Sequence, residues 1–128
     1  MNSLRVALSK RVVIADGAMG TMLQARNPSL EDFQNHEGCN EILNVTRADI
    51  VKAVHAEYLD AGVDAIETNT FGANFANLAE YGIEDRIYEL AFAGAKIARE
   101  VADQYSTKEN PRWAVSYTHL TLPTKRIV

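Results

Sequence analysis

Apolar and polar positions come in alternating blocks along the chain. Val12, Val13, Ile14 and Ala15 form a short unbroken apolar run that stops at Asp16-Gly17, which predicts a first strand. A short amphipathic turn from Ser3 to Ser9 precedes it. Between Ala25 and Val45 fall Asn27, Pro28, Ser29, Asn35, Gly38, Asn40 and Asn44, too many turn formers for a long helix. Ile50, Val54 and Tyr58, with Val51 and Leu59, then share one helical face. Thr46 followed by Asp49 predicts a capping box at the start of that helix, and Gly62 predicts its end. The second strand is Ala65-Ile66 with its flanks. Beyond a polar loop and a short turn to Gly82, Ile87, Leu90, Gly94, Ile97, Val101 and Tyr105 recur at helical spacing and predict a long helix ending near Ser106. Lys108 to Arg112 reads as a charged, proline-containing link, and Trp113-Ala114 as the start of a third strand. The order β-loop-α-β-α-β predicts an α/β fold with parallel strands and right-handed crossovers, in which Val12 to Ala15 and Ala65 to Thr68 are neighbours.

The stretch VDAIETNTFGAN, Val63 to Asn74, starts as a buried strand and ends in hydroxyls, amides and a carboxylate. A parallel strand covered on both faces is continuously apolar, and its carboxyl end is where α/β folds place ligands. Glu67, Thr68, Asn69 and Thr70 are therefore expected at a site, with Asp16-Gly17 at the same end of the neighbouring strand. A plain strand-ending turn is the alternative account of Asp16-Gly17, but strands of such folds present their carboxyl ends to the ligand, which favours the site. A phosphate cradle in the run Asp16 to Thr21 is rejected, because it has neither the Walker lysine nor the three-glycine fingerprint. His36, Cys39 and Glu41 form a metal-like group without a second cysteine or a histidine at helical spacing, so a solvated loop is expected there. His55 reads as a packing or surface histidine. Met19 and Met22 read as core filler, and Phe71 as packing beneath the pocket.

With a net charge of -4 over 128 residues and scattered lysines and arginines, the chain has no basic stripe for nucleic acid or an anionic membrane. Arg5, Lys10 and Arg11 interrupt the N-terminal apolar residues, so no signal or membrane-spanning segment is expected there. The single cysteine, Cys39, excludes an internal disulfide and agrees with a reducing, cytoplasmic compartment.

Three stretches carry a family resemblance: DGAMGT (Asp16 to Thr21), GCNEILNVTRADIVKAVHAEYLDAGVD (Gly38 to Asp64) and IETNTFGAN (Ile66 to Asn74). Together they resemble the N-terminal homocysteine-binding module of the cobalamin-dependent methionine synthases, almost continuously from Arg11 to Ala114. The DG and TNTF elements are shared by the wider homocysteine S-methyltransferase family. The resemblance implies a (β/α)8 TIM barrel, and a barrel needs about 250 residues. The chain is accordingly expected to be an N-terminal fragment holding two βα units and the start of a third strand, with an open, aggregation-prone sheet edge.

The resemblance also implies substrate-binding roles for Asp16, Gly17, Glu67, Asn69 and Thr70 toward homocysteine, with Asp16-Gly17 meeting its amino acid group. It implies methyl transfer from methylcobalamin to a homocysteine thiolate, with zinc on three cysteines activating the thiol. Those cysteines lie on later strands, so no metal ligand and no catalytic residue is assigned in this chain. Zinc and cobalamin are cofactors expected of the parent enzyme and not of the chain alone, and the parent's cobalamin and methyltetrahydrofolate modules are its expected partners. Two alternatives stay open: a single-domain homocysteine S-methyltransferase with a betaine or sulfonium donor, and an inactive binding module.

The tail departs from the family. VSYTHLTLPT, Val115 to Thr124, stands where a Gly-Pro-containing loop would follow the third strand, and it resembles a translated sequencing adapter. Residues 1–114 are therefore read as a truncated homocysteine-binding domain and 115–128 as an artefactual tail, set aside from fold reasoning.

Overall fold

The structure, a computed structural model, describes residues 3–116, so all of the expected tail except Val115 and Ser116 lies outside the described residues. Helix α1, Leu4–Leu8, is capped by the Ser3 hydroxyl, which accepts from the Arg5 N–H. A one-and-a-half-turn helix α2, Gly20–Gln24, buries Leu23. The stretch up to Asn40 is loop, as its turn formers predict, with positive φ at Asn27, Gln34, Asn35 and Gly38. A 3-10 turn, Asn40–Ile42, and helix α3, Leu43–Thr46, lead into α4, Ala48–Asp60. Strand β1 is Ala65–Glu67, α5 is Phe75–Glu80, and α6 runs over Ile87–Tyr105 before β2, Trp113–Val115.

The predicted capping box does not form. Thr46 ends α3 instead of opening α4, and its hydroxyl donates to the carbonyls of Asp32 at 2.6 Å and Ile42 at 3.2 Å. Arg47 occupies the cap position and offers no side-chain acceptor; its guanidinium binds the carboxylates of Asp49 and Asp32. Asp49 still lies in the first turn of α4, where a carboxylate favours the helix dipole.

β1 and β2 pair in parallel, Ala65 with Trp113, Ile66 with Ala114 and Glu67 with Val115. On the other side of β1 the expected first strand is reduced to a single parallel bridge, Ala15 to Ala65. Ile14 O accepts from Asp64 N at 2.8 Å and from Ala65 N at 3.1 Å, and Asp16 N donates to Ala65 O at 3.0 Å. The neighbourhood and direction are those expected, but the run Val12 to Ala15 is not a full strand. Its outer edge has no partner strand among the described residues, and Val12 is 82% exposed. A strand bonded along one edge gains only half of its ladder.

Asp64 ties the amino ends together. Its carboxylate receives both Arg11 guanidinium nitrogens at 3.0 and 3.1 Å and the Ile14 N–H at 2.9 Å, which holds it below the usual carboxylate range.

α4 and α6 cover this sheet. Leu59, Ile66, Ala98, Val101 and Ala102 form one apolar cluster, and Leu23, Leu43, Val51, Val54 and Ile97 belong to another. Each fully buried leucine contributes about 2 kcal/mol. Met19 and Met22 pack against the second cluster, as expected of gap fillers. His55 is fully buried on α4, and neither ring nitrogen has a hydrogen-bond partner among the described residues. Burial pushes its pKa down to about 4, so it packs as a neutral ring. No described helix is long and apolar enough to cross a membrane.

Candidate functional site

A cleft of ≈ 290 Å³ opens at the carboxyl end of β1, between the loop after Ala15, the 3-10 turn at Asn40 and the loop after Glu67. Asp16, Gly17, Glu67 and Asn69 line it together, joined by Asn40, Glu41 and Phe71. Thr70 stands aside. Its hydroxyl meets that of Thr68 at 2.6 Å and lies 3.3 Å from Ser116 Oγ.

Asp16 bridges the two neighbouring segments: both carboxylate oxygens accept from the Glu67 N–H, at 3.1 Å each. Burial raises its pKa to about 6, and the Glu67 charge adds to the rise, while the hydrogen bond from the Glu67 N–H opposes it. The folded-state value thus stands above that of an unfolded chain. Ionisation therefore works against the folded state as pH rises from the ordinary carboxylate range through about 6, and a cation placed in the cleft would relieve it.

A Cβ on Gly17 would meet only the Tyr58 side chain, at an ordinary 3.4 Å, so packing within the chain does not demand glycine there. Tyr58 reaches up from α4 and donates its hydroxyl to Ala18 O at 2.7 Å, pinning the loop after Ala15. Sequence reading placed Tyr58 on the apolar face of α4 and missed this tether. The ring does pack with the core clusters, so the periodicity concealed the use of its hydroxyl.

Asn69 is buried and its Nδ2 donates to Asn40 O and to Asn44 Oδ1, both at 2.9 Å. Asn44 answers by donating to Asn69 O at 2.8 Å and to Leu90 O at 3.1 Å. Glu41 accepts the Gly72 N–H at 2.7 Å and lies 3.8 Å from the Cys39 thiol. Glu41 is 6% exposed and Cys39 0%, so this stretch is not the solvated loop expected from sequence. Polar residues spread over a turn-rich segment look solvated unless their partners, here 25 to 31 positions away, are known. His36 faces Tyr81 in a stack, with centroids 6.0 Å apart. Phe71, expected beneath the pocket, is 62% exposed at its rim, because the loop after Glu67 carries it outward.

Among the described residues no group of three or more His, Cys, Asp or Glu side chains could hold a metal ion. Burial, followed by the Glu41 charge, pushes the Cys39 thiol up, which opposes the thiolate form that binds zinc.

A sequence model of the family described as Homocysteine S-methyltransferase matches residues 13–122. The chain is 52% identical over 108 residues to the methionine synthase of Mycobacterium tuberculosis, and 49% identical to that of Mycobacterium leprae. Those alignments take in 84% of this chain and 9% of each relative, so the chain spans a small part of the curated relatives it matches. Among solved structures, the homocysteine methyltransferase MmuM from Escherichia coli superposes with a TM-score of 0.70 at 26% identity, in both its metallated and its oxidized form. That superposition covers 90% of this chain and 40% of the other. The chain belongs to the homocysteine S-methyltransferase family.

Proposed function

We propose that the cleft receives the amino acid end of homocysteine, and that the chain is the opening part of a methionine synthase's homocysteine-binding (β/α)8 barrel. The observation that carries this reading is the convergence of Asp16, Gly17, Glu67 and Asn69 on one cleft at the carboxyl end of β1. It is supported by the chain's likeness to methionine synthases and by a Gly17 that internal packing leaves unexplained. Asp16, ionised above pH about 6, would take the ammonium group. The Gly17 N–H would take the carboxylate, and Asn69 would shape the wall, with Thr70 set back behind Thr68. The chain's own residues thus bind and orient. The described residues do not fit a zinc site, so thiol activation and the methyl donor belong to sequence beyond them, including the cobalamin and methyltetrahydrofolate modules of the parent. A cytoplasmic setting agrees with the single buried thiol.

In the complete enzyme, Asp16→Ala is expected to raise the Michaelis constant for homocysteine roughly tenfold or more, the effect of losing a charged hydrogen bond, with zinc content unchanged. An unchanged constant would remove Asp16 from the site.

We propose further that residues 115–128 come from adapter sequence. Val115 serves in β2 because β-branched residues generally suit a strand, whatever their origin. The family match runs past Ala114 to residue 122, so sequencing the locus across the Ala114–Val115 junction decides the matter. A genomic frame that leaves this sequence after Ala114 and continues into a Gly-Pro-containing loop is expected. A frame encoding VSYTHLTLPT would make the tail native.

A further inference from the structure

The loop after Glu67 has little regular structure of its own, yet both polar backbone groups of Gly72 are held by side chains. Glu41 Oε1 accepts from the Gly72 N–H at 2.7 Å, and Asn77 Nδ2 donates to the Gly72 carbonyl at 3.0 Å. Asn44 grips the same loop at Asn69 O. Glu41 and Asn44 both lie in the short helical stretch before α4, so one segment fixes the far wall of the cleft. A buried carboxylate is costly unless it is well bonded, and no cation among the described residues forms an ion pair with Glu41; its donors are an amide and a thiol.

We infer that Glu41 is a positioning residue for substrate binding: by anchoring Gly72 it sets where Asn69 and Phe71 stand against the ligand. Gly72 belongs to the same device. A Cβ there would fall 2.7 Å from Glu41 Oε1 and against the Asn77 amide, so only glycine lets the carboxylate reach the backbone. The inference rests on the homocysteine reading of the cleft and adds the residue that holds its wall in place.

The test uses the complete enzyme carrying Glu41→Ala, Glu41→Gln and, separately, Asp16→Ala. Glu41→Ala is expected to raise the Michaelis constant for homocysteine roughly tenfold while kcat stays within about twofold, since the lost bond orients the ligand and performs no chemistry. Glu41→Gln keeps an acceptor for the Gly72 N–H and should recover most of that loss. Hydrogen exchange at the Gly72 amide should accelerate in the alanine variant and not in the glutamine variant. If Glu41→Ala fails to fold, Gly72→Ala takes its place and should raise the same constant. An unchanged constant in Glu41→Ala, or a glutamine variant as impaired as the alanine one, overturns the positioning role while leaving Asp16 intact. No effect of Asp16→Ala would instead overturn the reading of the cleft itself.

Discussion

The 128-residue chain, loaded with zinc and supplied with methylcobalamin and homocysteine, should transfer no methyl group above the protein-free rate. A substrate thiol must lose its proton to become a nucleophile, and a free thiol titrates near pH ~8.5, so at neutrality most of it is inert. Activation by a metal needs several protein thiolates or imidazoles around one open position. Cys39 is the chain's single cysteine and is buried, and burial raises its pKa, which disfavours even one thiolate. His55 is enclosed within the helical layer, and His36 stacks on Tyr81. Asp16 and Asn69, however well placed, would position a thiol that stays protonated. The assay should be run beside a control continuing through a whole barrel. Zinc-dependent turnover by the chain alone would sink both the expectation and the reading of the chain as part of a larger catalytic unit.

Elements whose side chains repeat at a fixed period were legible in the sequence. The long helix marked by Ile87, Leu90, Gly94, Ile97, Val101 and Tyr105 runs from Ile87 to Tyr105, because those positions share its inward side: Ile87 and Leu90 pack with Cys39, Ile42 and Leu78, and Ile97, Val101 and Tyr105 join the clusters built on α4 and β1. The convergence of Asp16 with Glu67 was legible too, since parallel neighbours bring their carboxyl ends together. The start of α4 was not. Thr46 followed by Asp49 has the right chemistry for a cap, but the Asp32 carbonyl competes for the Thr46 hydroxyl and α3 claims the residue. Local spacing cannot register such a distant competitor. For the same reason Glu41 was read as part of a solvated loop and Asn44 as a turn former: their partners Gly72, Asn69 and Leu90 lie on segments that only the folded chain brings near. Strand one was overstated because its apolar run reports burial in a complete sheet, and only one of its edges is bonded among the described residues.

Gly94→Ala should destabilise the fold, against the usual sign for a glycine inside a helix. Helix propensity alone favours alanine by about 1 kcal/mol. Gly94, however, lies buried in α6 where the helix meets the wall of the cleft, and a Cβ there would come within 2.7 Å of both Asn44 Nδ2 and Thr70 Cγ2 and within 3.1 Å of Asn69 O. The Asn44 amide cannot swing away freely, because it already donates to Asn69 O and Leu90 O. Asn69 O is backbone and can yield only by moving the whole loop. Relief therefore means either breaking buried hydrogen bonds, at about 1–3 kcal/mol, or forcing the helix and loop apart at a similar cost. Net destabilisation of roughly 1 kcal/mol, and at most about 2, is expected once the propensity gain is subtracted. Urea unfolding of the chain measures it, with Ala95→Gly on the exposed side of the same helix as the reference for propensity alone. A Gly94→Ala chain as stable as the parent, or more so, would show that α6 does not approach the loop as closely as described. The same displacement would carry Asn69 out of the cleft, so a loss of stability and a loss of homocysteine affinity should appear together in the complete enzyme.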